Sequence, residues 1–346
     1  MTADSISDPR RDELERWLLT LPGPALTRMV PASADASFRR YFRLERGGSS
    51  AIAMDAPPER EHPGTWLRVA RLMAGTGVHV PEVLAADPER GFVLMSDLGS
   101  RDYLAALAAG EDPGPLYAAA IGAIVSLQAA GANLLRELPP YDRSRLHAEM
   151  ELFPQWFLGR HLGLVPDPAA TRLVEAAFGL LGEEALAQPV VFVHRDYHSR
   201  NLMVCPGVKP GILDFQDAVR GPISYDLVSL LKDCYIVWPR ARVLGWMDDY
   251  LALARQAGLD TGPDRQAFLR WFDRTGLQRH LKVLGIFARL WYRDGKRGYL
   301  ADLPRVLDYV LEVTAADPQF ADLDAWLRER VVPAFVLAQQ RAGVAA

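Results

Sequence analysis

What this chain lacks narrows its chemistry before any motif is considered. It carries two cysteines, two asparagines and only four lysines against thirty-five arginines. Cys205 and Cys234 can build neither a disulfide framework nor a CxxC metal pair, and they read as small apolar fillers. The lysines are Lys209, Lys232, Lys282 and Lys296, so the chain before Lys209 has none. No lysine is followed by Ser or Thr, which excludes a Walker A phosphate loop. The N-terminus lacks the apolar core of a signal peptide, and no run approaches the length needed to span a bilayer. The expectation is a cytoplasmic protein with no membrane partner. A net charge of −4 leaves no basic footprint for nucleic acid. With 346 residues, 49% hydrophobic and 24% charged, the chain can bury one large core or two moderate ones.

The chemistry that is present concentrates in residues 190–216. Val190–Val193 is a short apolar strand, and His194-Arg195-Asp196 follows it. Leu202–Val204 and Gly211–Leu213 flank Cys205-Pro206-Gly207-Val208-Lys209-Pro210, which predicts a β-hairpin with a six-residue turn. The open ends of such a hairpin lie side by side. Asn201 and Asp214 then present an amide and a carboxylate oxygen to one Mg²⁺, a hard cation that also takes substrate phosphate. Asp196 ends the preceding strand and is placed to accept the hydroxyl proton of an attacking alcohol. The spacing His-Arg-Asp-x-x-x-x-Asn followed by Asp-Phe is that of a phosphotransfer loop. The bland alternative, a buried polar turn capping a strand, explains neither the hairpin nor Asp214.

The N-terminal part reads as a helix over Pro9–Leu21, then strands Leu26–Val30, Phe38–Leu44 and Ala51–Ala56. A helix near Thr65–Ala74 and strands Pro81–Ala85 and Phe92–Ser96 complete it. Five strands and one helix fit a twisted antiparallel sheet in a small nucleotide-binding lobe. Where a kinase strand carries Val-Ala-x-Lys, this chain has Ala51-Ile52-Ala53-Met54, so Met54 stands in the place of the phosphate-anchoring lysine. The glycine-rich phosphate loop is replaced by small residues around Ser37, followed by Arg39 and Arg40. Either arginine could supply the lost cation with a bidentate fork, or both could be a solvated strand face. Met95-Ser96-Asp97-Leu98-Gly99 reads as a hinge, with Met95 and Asp97 at the adenine.

From Arg101 the pattern turns helical: Arg101–Ala109, Pro115–Leu134, Ser144–Gly163 and Pro168–Leu181 precede the hairpin. Pro222–Asp233, Ala241–Ala257, Arg265–Asp273, Leu277–Trp291, Pro304–Ala315 and Asp322–Ala342 follow it. The expected organisation is an α+β, two-lobed chain. Residues 1–97 form the nucleotide-binding lobe, and residues 98–346 a mostly helical lobe with one small β insert.

Three segments carry a family resemblance: residues 194–201, Ile212-Leu213-Asp214-Phe215-Gln216-Asp217-Ala218, and Gly221-Pro222-Ile223-Ser224-Tyr225-Asp226-Leu227. Through them the chain resembles the aminoglycoside phosphotransferase-like branch of the protein-kinase-like fold. A narrower match lies in residues 35–42, Met54-Asp55-Ala56-Pro57-Pro58 and residues 277–285. These resemble the bacterial N-acetylmuramate/N-acetylglucosamine anomeric kinases of cell-wall recycling. The resemblance covers most of the chain. It implies ATP and Mg²⁺ as cofactors, a free amino sugar as substrate, its anomeric hydroxyl as acceptor, and a monomer. It also implies that Asp226, with His194, supports the catalytic loop from below. The chain departs from the pattern at Ala34, where a glycine is expected, and at Gln216, where Asp-Phe-Gly has its glycine.

The substrate would lie between the catalytic loop and the helical lobe, within reach of His198. Helix Leu277–Trp291 is apolar except for a narrow stripe of Gln278, Lys282 and Arg289 around Gly285. A buried lysine needs a partner. Lys282 or Arg289 could meet the lactyl carboxylate of N-acetylmuramate, or could pair with a carboxylate of another helix. Trp156 and Phe157 could stack on a sugar, or join the core with Phe153. Two other functions remain open. One is an aminoglycoside or other small-molecule phosphotransferase, against which the cationic stripe argues. The other is a nucleotide-binding pseudokinase, against which the complete Asp196, Asn201 and Asp214 set argues.

Overall fold

The computed structural model of the chain describes residues 8–34, 38–205, 207 and 209–344. It begins α1 (Pro9–Thr20), β1 (Leu26–Ala34), β2 (Arg40–Arg46), β3 (Ser49–Asp55), α2 (Pro63–Gly75), β4 (Val83–Asp87) and β5 (Phe92–Ser96). Helices α3 (Tyr103–Ala108), α4 (Pro113–Ala130), α5 (Arg143–Met150) and α6 (Pro168–Leu186) follow. Next come β6 (Val190–Val193), β7 (Leu202–Met203), β8 (Gly211–Ile212) and β9 (Val219–Pro222). The chain closes with α7 (Tyr225–Leu231), α8 (Arg240–Gln256), α9 (Arg265–Tyr292), α10 (Leu303–Ala316), α11 (Ala321–Trp326) and α12 (Val332–Ala342). It divides into two compact units, Met1–Asp102 with Leu202–Gln216, and Tyr103–Asn201 with Asp217–Ala346.

In the first unit five antiparallel strands lie in the order β1-β2-β3-β5-β4. Alternation along β2 and β3 puts Phe42, Leu44, Ala51 and Ala53 on one buried face, against Leu14, Trp17 and Leu18 of α1. Asp55 is fully buried at the end of β3 and is held by Arg10 of α1 and Arg40 of β2. Those ion pairs tie the helix to the sheet. The β7–β8 hairpin belongs to this unit: Leu202 pairs with Ile212, the Ile212 N–H donates to the His79 carbonyl at 2.8 Å, and Phe215 packs on Trp66. Gly91 sits at φ +78°, and a Cβ there would lie 1.9 Å from the Ala56 carbonyl oxygen, so only glycine lets the β5 turn approach that strand end.

The second unit is helical around α9. Phe153, Phe157, Leu277, Leu281, Leu284, Phe287, Val310, Leu327 and Phe335 form its main core. Phe157 is thus a core residue, while Trp156 is half-buried. A second ladder, β6 with β9, lies beside the helices.

Several elements differ from expectation. Ser144–Gly163 is not one helix: α5 ends at Met150, and a π-helical stretch, Phe153–Leu162, follows with Pro154 in its first turn, where a residue without an N–H cannot continue the preceding ladder of hydrogen bonds. Arg265–Asp273 and Leu277–Trp291 are a single 28-residue helix. Gly276 costs about 1 kcal/mol of helix propensity relative to alanine, yet it lies beside the buried Lys232 side chain, where packing carries the helix through. Pro222 belongs to β9 rather than to a helix, so there are two small β ladders instead of one insert. Pro113–Glu137, α4 and the 3₁₀ turn after it, is long and apolar enough to cross a bilayer, against the reading that no run is. Tyr117, Ile121, Ile124, Val125 and Leu127 of α4 are buried in the core, and the buried Gln128 beside them is satisfied by Tyr250 and the Ile223 carbonyl.

The tightest approach in this unit is at Gly285, where a Cβ would lie 2.3 Å from the Leu152 backbone. Gly285→Ala should force α9 away from the π-helical stretch. Thermal denaturation should show a loss of roughly 1–3 kcal/mol or more, the usual cost of overpacking.

Candidate active site

The loop between β6 and β7, which carries the expected catalytic residues, is fixed from its ends by two buried aspartates. Asp226, in the first turn of α7, accepts the backbone N–H groups of His194 at 2.7 Å and Arg195 at 2.9 Å. Arg195 is thereby held at φ 80°, a left-handed conformation that non-glycine residues rarely adopt. At the other end Asp233 accepts from the Ser199 N–H at 2.9 Å and its hydroxyl at 2.5 Å. Between them the Asn201 amide nitrogen donates to the Asp196 carbonyl at 2.9 Å, which turns the amide oxygen to the other side. Burial pushes the Asp226 carboxyl up to about 7, against the pull of those two N–H donors.

Asp196 sits among cations. Burial alone would raise its carboxyl, but the charges of Lys282, Arg195 and Arg279 outweigh burial and hold it at about 2. None of the three is ion-paired with it. Arg279, almost fully buried on α9, donates to the Ser229 hydroxyl at 2.7 Å. Arg195 and Lys282 both turn to Glu149 of α5: the Arg195 guanidinium meets one oxygen, and the Lys282 ammonium lies 3.1 Å from the other. The Tyr141 hydroxyl also donates to Glu149, and Lys282 donates to the Tyr225 hydroxyl at 3.2 Å.

The polar stripe of α9 is therefore largely consumed within the unit. Lys282 has the internal ion-pair partner that a buried lysine needs, and Gln278 faces the Tyr141 hydroxyl at 3.5 Å. Arg289 differs: it is half-buried, and its Nε is buried without a hydrogen-bond partner. His198 packs edge-on against Tyr235 with its Nδ1 likewise without a partner, and burial holds its imidazole below the usual range.

In the first unit Asp214 ends the hairpin at φ 60°. Its Oδ1 accepts from Gln216 at 2.9 Å and lies 3.4 Å from Arg39. Arg39 is 8% exposed and also pairs with Glu61 at 3.6 Å. The neighbouring Arg40 points elsewhere, to Asp55 and Asp8. The structure thus separates two arginines that the sequence left equivalent. Met54 is fully buried between Tyr41 and Val93 in the sheet, and Met95 is nearly so. Asp97 is occupied by Arg43, Ser50 and the Gly99 N–H. Ser37 lies outside the described residues.

Sequence reasoning missed Glu149, Tyr141, Arg279, Asp233 and Glu61. For Glu149 the signal was indirect, since a buried Lys282 demands a carboxylate without saying which. For Arg279 it was closer, since it lies next to Gln278 on a helix already identified as buried.

The phosphotransferase enzyme family model matches residues 28–269. The N-acetylmuramate/N-acetylglucosamine kinase of Pseudomonas putida is 46% identical over 301 residues, covering 87% of this chain and 88% of its own. That of Neisseria meningitidis is 44% identical over 328 residues, covering 93% and 96%. Among solved structures, an ADP-bound aminoglycoside phosphotransferase superposes with a TM-score of 0.56 at 13% identity, over 87% of this chain and 98% of that one.

Because the Lys282–Glu149 pair is buried, Lys282→Met removes one of the two cations on that carboxylate and leaves Arg195 and the Tyr141 hydroxyl as its remaining partners. The loss should be about 1–3 kcal/mol of stability, below the cost of a fully stranded buried charge, and is read as a lower Tm. An unchanged Tm would show that the pair is water-accessible in solution.

Proposed function

The chain belongs to the phosphotransferase enzyme family, and from that premise we propose that it transfers the γ-phosphoryl group of ATP to the anomeric hydroxyl of free N-acetylmuramate and N-acetylglucosamine. The product is the sugar 1-phosphate, and the setting is cytoplasmic recycling of peptidoglycan sugars. The observation that carries the chemistry is an Asp196 carboxylate kept charged by neighbouring cations yet paired with none of them. A base for a hydroxyl proton needs that state. The amino-sugar acceptor rests on relatives so named at 44–46% identity over most of the chain.

In this reading Asp196 orients the acceptor hydroxyl and takes its proton as the oxygen attacks the γ-phosphorus in line, with ADP leaving. Asn201, immediately before β7, and Asp214, two residues after β8, would hold Mg²⁺. An amide and a carboxylate oxygen suit this ion, which prefers oxygen ligands and keeps waters or phosphates in its remaining positions. No cluster of three or more acidic, His or Cys side chains able to cage a metal occurs among the described residues. When bound, Mg²⁺ would neutralise charge on the β- and γ-phosphates. Arg39 takes over from the absent strand lysine, and its pairing with Glu61 parallels the lysine–glutamate pair of protein kinases. With Lys282 committed to Glu149, Arg289 is the stripe cation left to meet the lactyl carboxylate.

Steady-state kinetics with Mg-ATP and each sugar test the assignment. Asp196→Asn should fold and lose roughly 10²–10⁴ in kcat, the contribution of a positioned base. Asp214→Ala should lose Mg²⁺-dependent turnover. Because the Asp196 carboxyl is held at about 2, wild-type kcat should show no acid limb from this group between about pH 8 and about pH 5. Near wild-type turnover in Asp196→Asn would remove the mechanism.

The two arginines should separate cleanly. Arg39→Ala should raise KM for ATP by about tenfold, on the order of one charge-assisted contact. Arg40→Ala should leave KM for ATP near its original value and lower Tm, because it removes a partner from the buried Asp55. Equal ATP kinetics in both variants would mean that neither replaces the lysine.

A further inference from the structure

Three cations bear on Asp196, and two of them, Arg195 and Lys282, converge on one carboxylate that is not the base. Arg195 is the residue immediately before Asp196, and Lys282 exerts the largest charge effect upon it. Either could close on Asp196 as an ion pair. Such a pair would occupy the lone pairs that must receive the substrate proton and weaken the carboxylate as a base. Glu149 stands in the way. Its side chain is 13% exposed, and it gathers the Arg195 guanidinium, the Lys282 ammonium and the Tyr141 hydroxyl. Tyr225 supports the same arrangement, accepting from Lys282 at 3.2 Å and standing edge-on to Tyr141 at 5.4 Å. The backbone of Arg195 is separately fixed by Asp226, so its guanidinium has Glu149 as its close carboxylate partner, with Asp217 further off at 3.8 Å.

We infer that Glu149 is a positioning residue for phosphoryl transfer: its carboxylate holds Arg195 and Lys282 off Asp196, so that the base feels their charge without being captured by either. The inference rests on Asp196 acting as the base and not on which sugar accepts the phosphoryl group. Glu149 touches neither acceptor nor nucleotide in this scheme; it acts through the two cations.

The test is a cycle of Glu149→Gln, Lys282→Met and the double variant, with kcat and KM for ATP measured for each. Glu149→Gln frees Lys282, so kcat should fall by about 10²-fold while KM for ATP stays within about twofold. Removing the freed cation should repair part of the damage. The double variant should recover about tenfold in kcat over Glu149→Gln, a coupling within the range for residues of one ion-pair network. A purely structural Glu149 would give additive losses, with the double variant no faster than Glu149→Gln, and that result would overturn the inference. If Glu149→Gln fails to fold, the double variant, which removes both members of the buried pair, is compared with Lys282→Met alone. The two should lie within about tenfold, and a loss of about 10²-fold or more on adding Glu149→Gln would overturn the inference. Crystal structures of the wild type and of the Glu149→Gln or double variant give a readout independent of substrate. In Glu149→Gln, Lys282 should stand at ion-pair distance from Asp196; in the double variant Arg195, whose backbone Asp226 still fixes, should not close on Asp196. An unmoved Lys282 in Glu149→Gln, or Arg195 paired with Asp196 in the double variant without loss of kcat, would overturn the inference even if Asp196→Asn confirmed the base, whereas an active Asp196→Asn would overturn the base assignment and leave the cation positions to be read on their own.

Discussion

Two backbone N–H groups donating to the buried carboxylate of Asp226 set the geometry on which the loop between β6 and β7 depends. They hold Arg195 in a left-handed conformation, and the residue after that bend is Asp196. A non-glycine residue at positive φ costs on the order of 1–3 kcal/mol and persists where its surroundings over-determine it. Here the surroundings do: Asp226 fixes the backbone, Glu149 fixes the guanidinium, and the Tyr141 ring lies 5.5 Å beneath it. Asp233 closes the other end of the loop through Ser199. The strain is thus local to the residue before Asp196, the proposed base, and the groups that hold it come from α5 and α7.

Helix α9 brings the charges to this place. Gly285 lets it press against the Leu152 backbone, and the same approach sets Lys282 beside Glu149, which lies a few residues earlier in the chain than Leu152. Its apolar sides fill the main core, and its polarity is carried by Gln278, Lys282 and Arg289 together with Arg274, Thr275, Arg279 and His280. A buried ion pair is weak as a source of stability, since desolvation offsets much of the Coulomb attraction. Its value here lies in holding two cations at fixed places near a third charge.

The sheet of the first unit was legible because β2 alternates between buried and less buried positions and β5 is a short apolar run, and the expected bounds of β2, β3 and β5 fall within two residues of the observed ones. The short β9 was not, since Val-Arg-Gly-Pro holds two residues that strands disfavour and forms only against β6. The break between α5 and the π-helical stretch was hidden because Pro154 falls inside an otherwise regular apolar period. At the proposed site, Asp196, Asn201 and Asp214 are linked by short-range spacing, so the sequence alone nominates them. Residues linked only through space it does not nominate: nothing in the sequence near Glu149 distinguishes it from a solvated helix residue. The difference between Arg39 and Arg40 needed coordinates for the same reason, because Arg39 lies just before β2 and Arg40 begins it, and only the fold says which carboxylates each one meets.

The most direct measurement is ³¹P NMR of the product formed from Mg-ATP with free N-acetylmuramate, free N-acetylglucosamine and their methyl glycosides. Phosphorylation at the anomeric oxygen should give a phosphorus signal coupled to the anomeric proton with both free sugars, and no sugar phosphate from the methyl glycosides, whose anomeric oxygen is blocked. A phosphorylated methyl glycoside, or a phosphorus coupled to another ring or side-chain proton, would contradict the account.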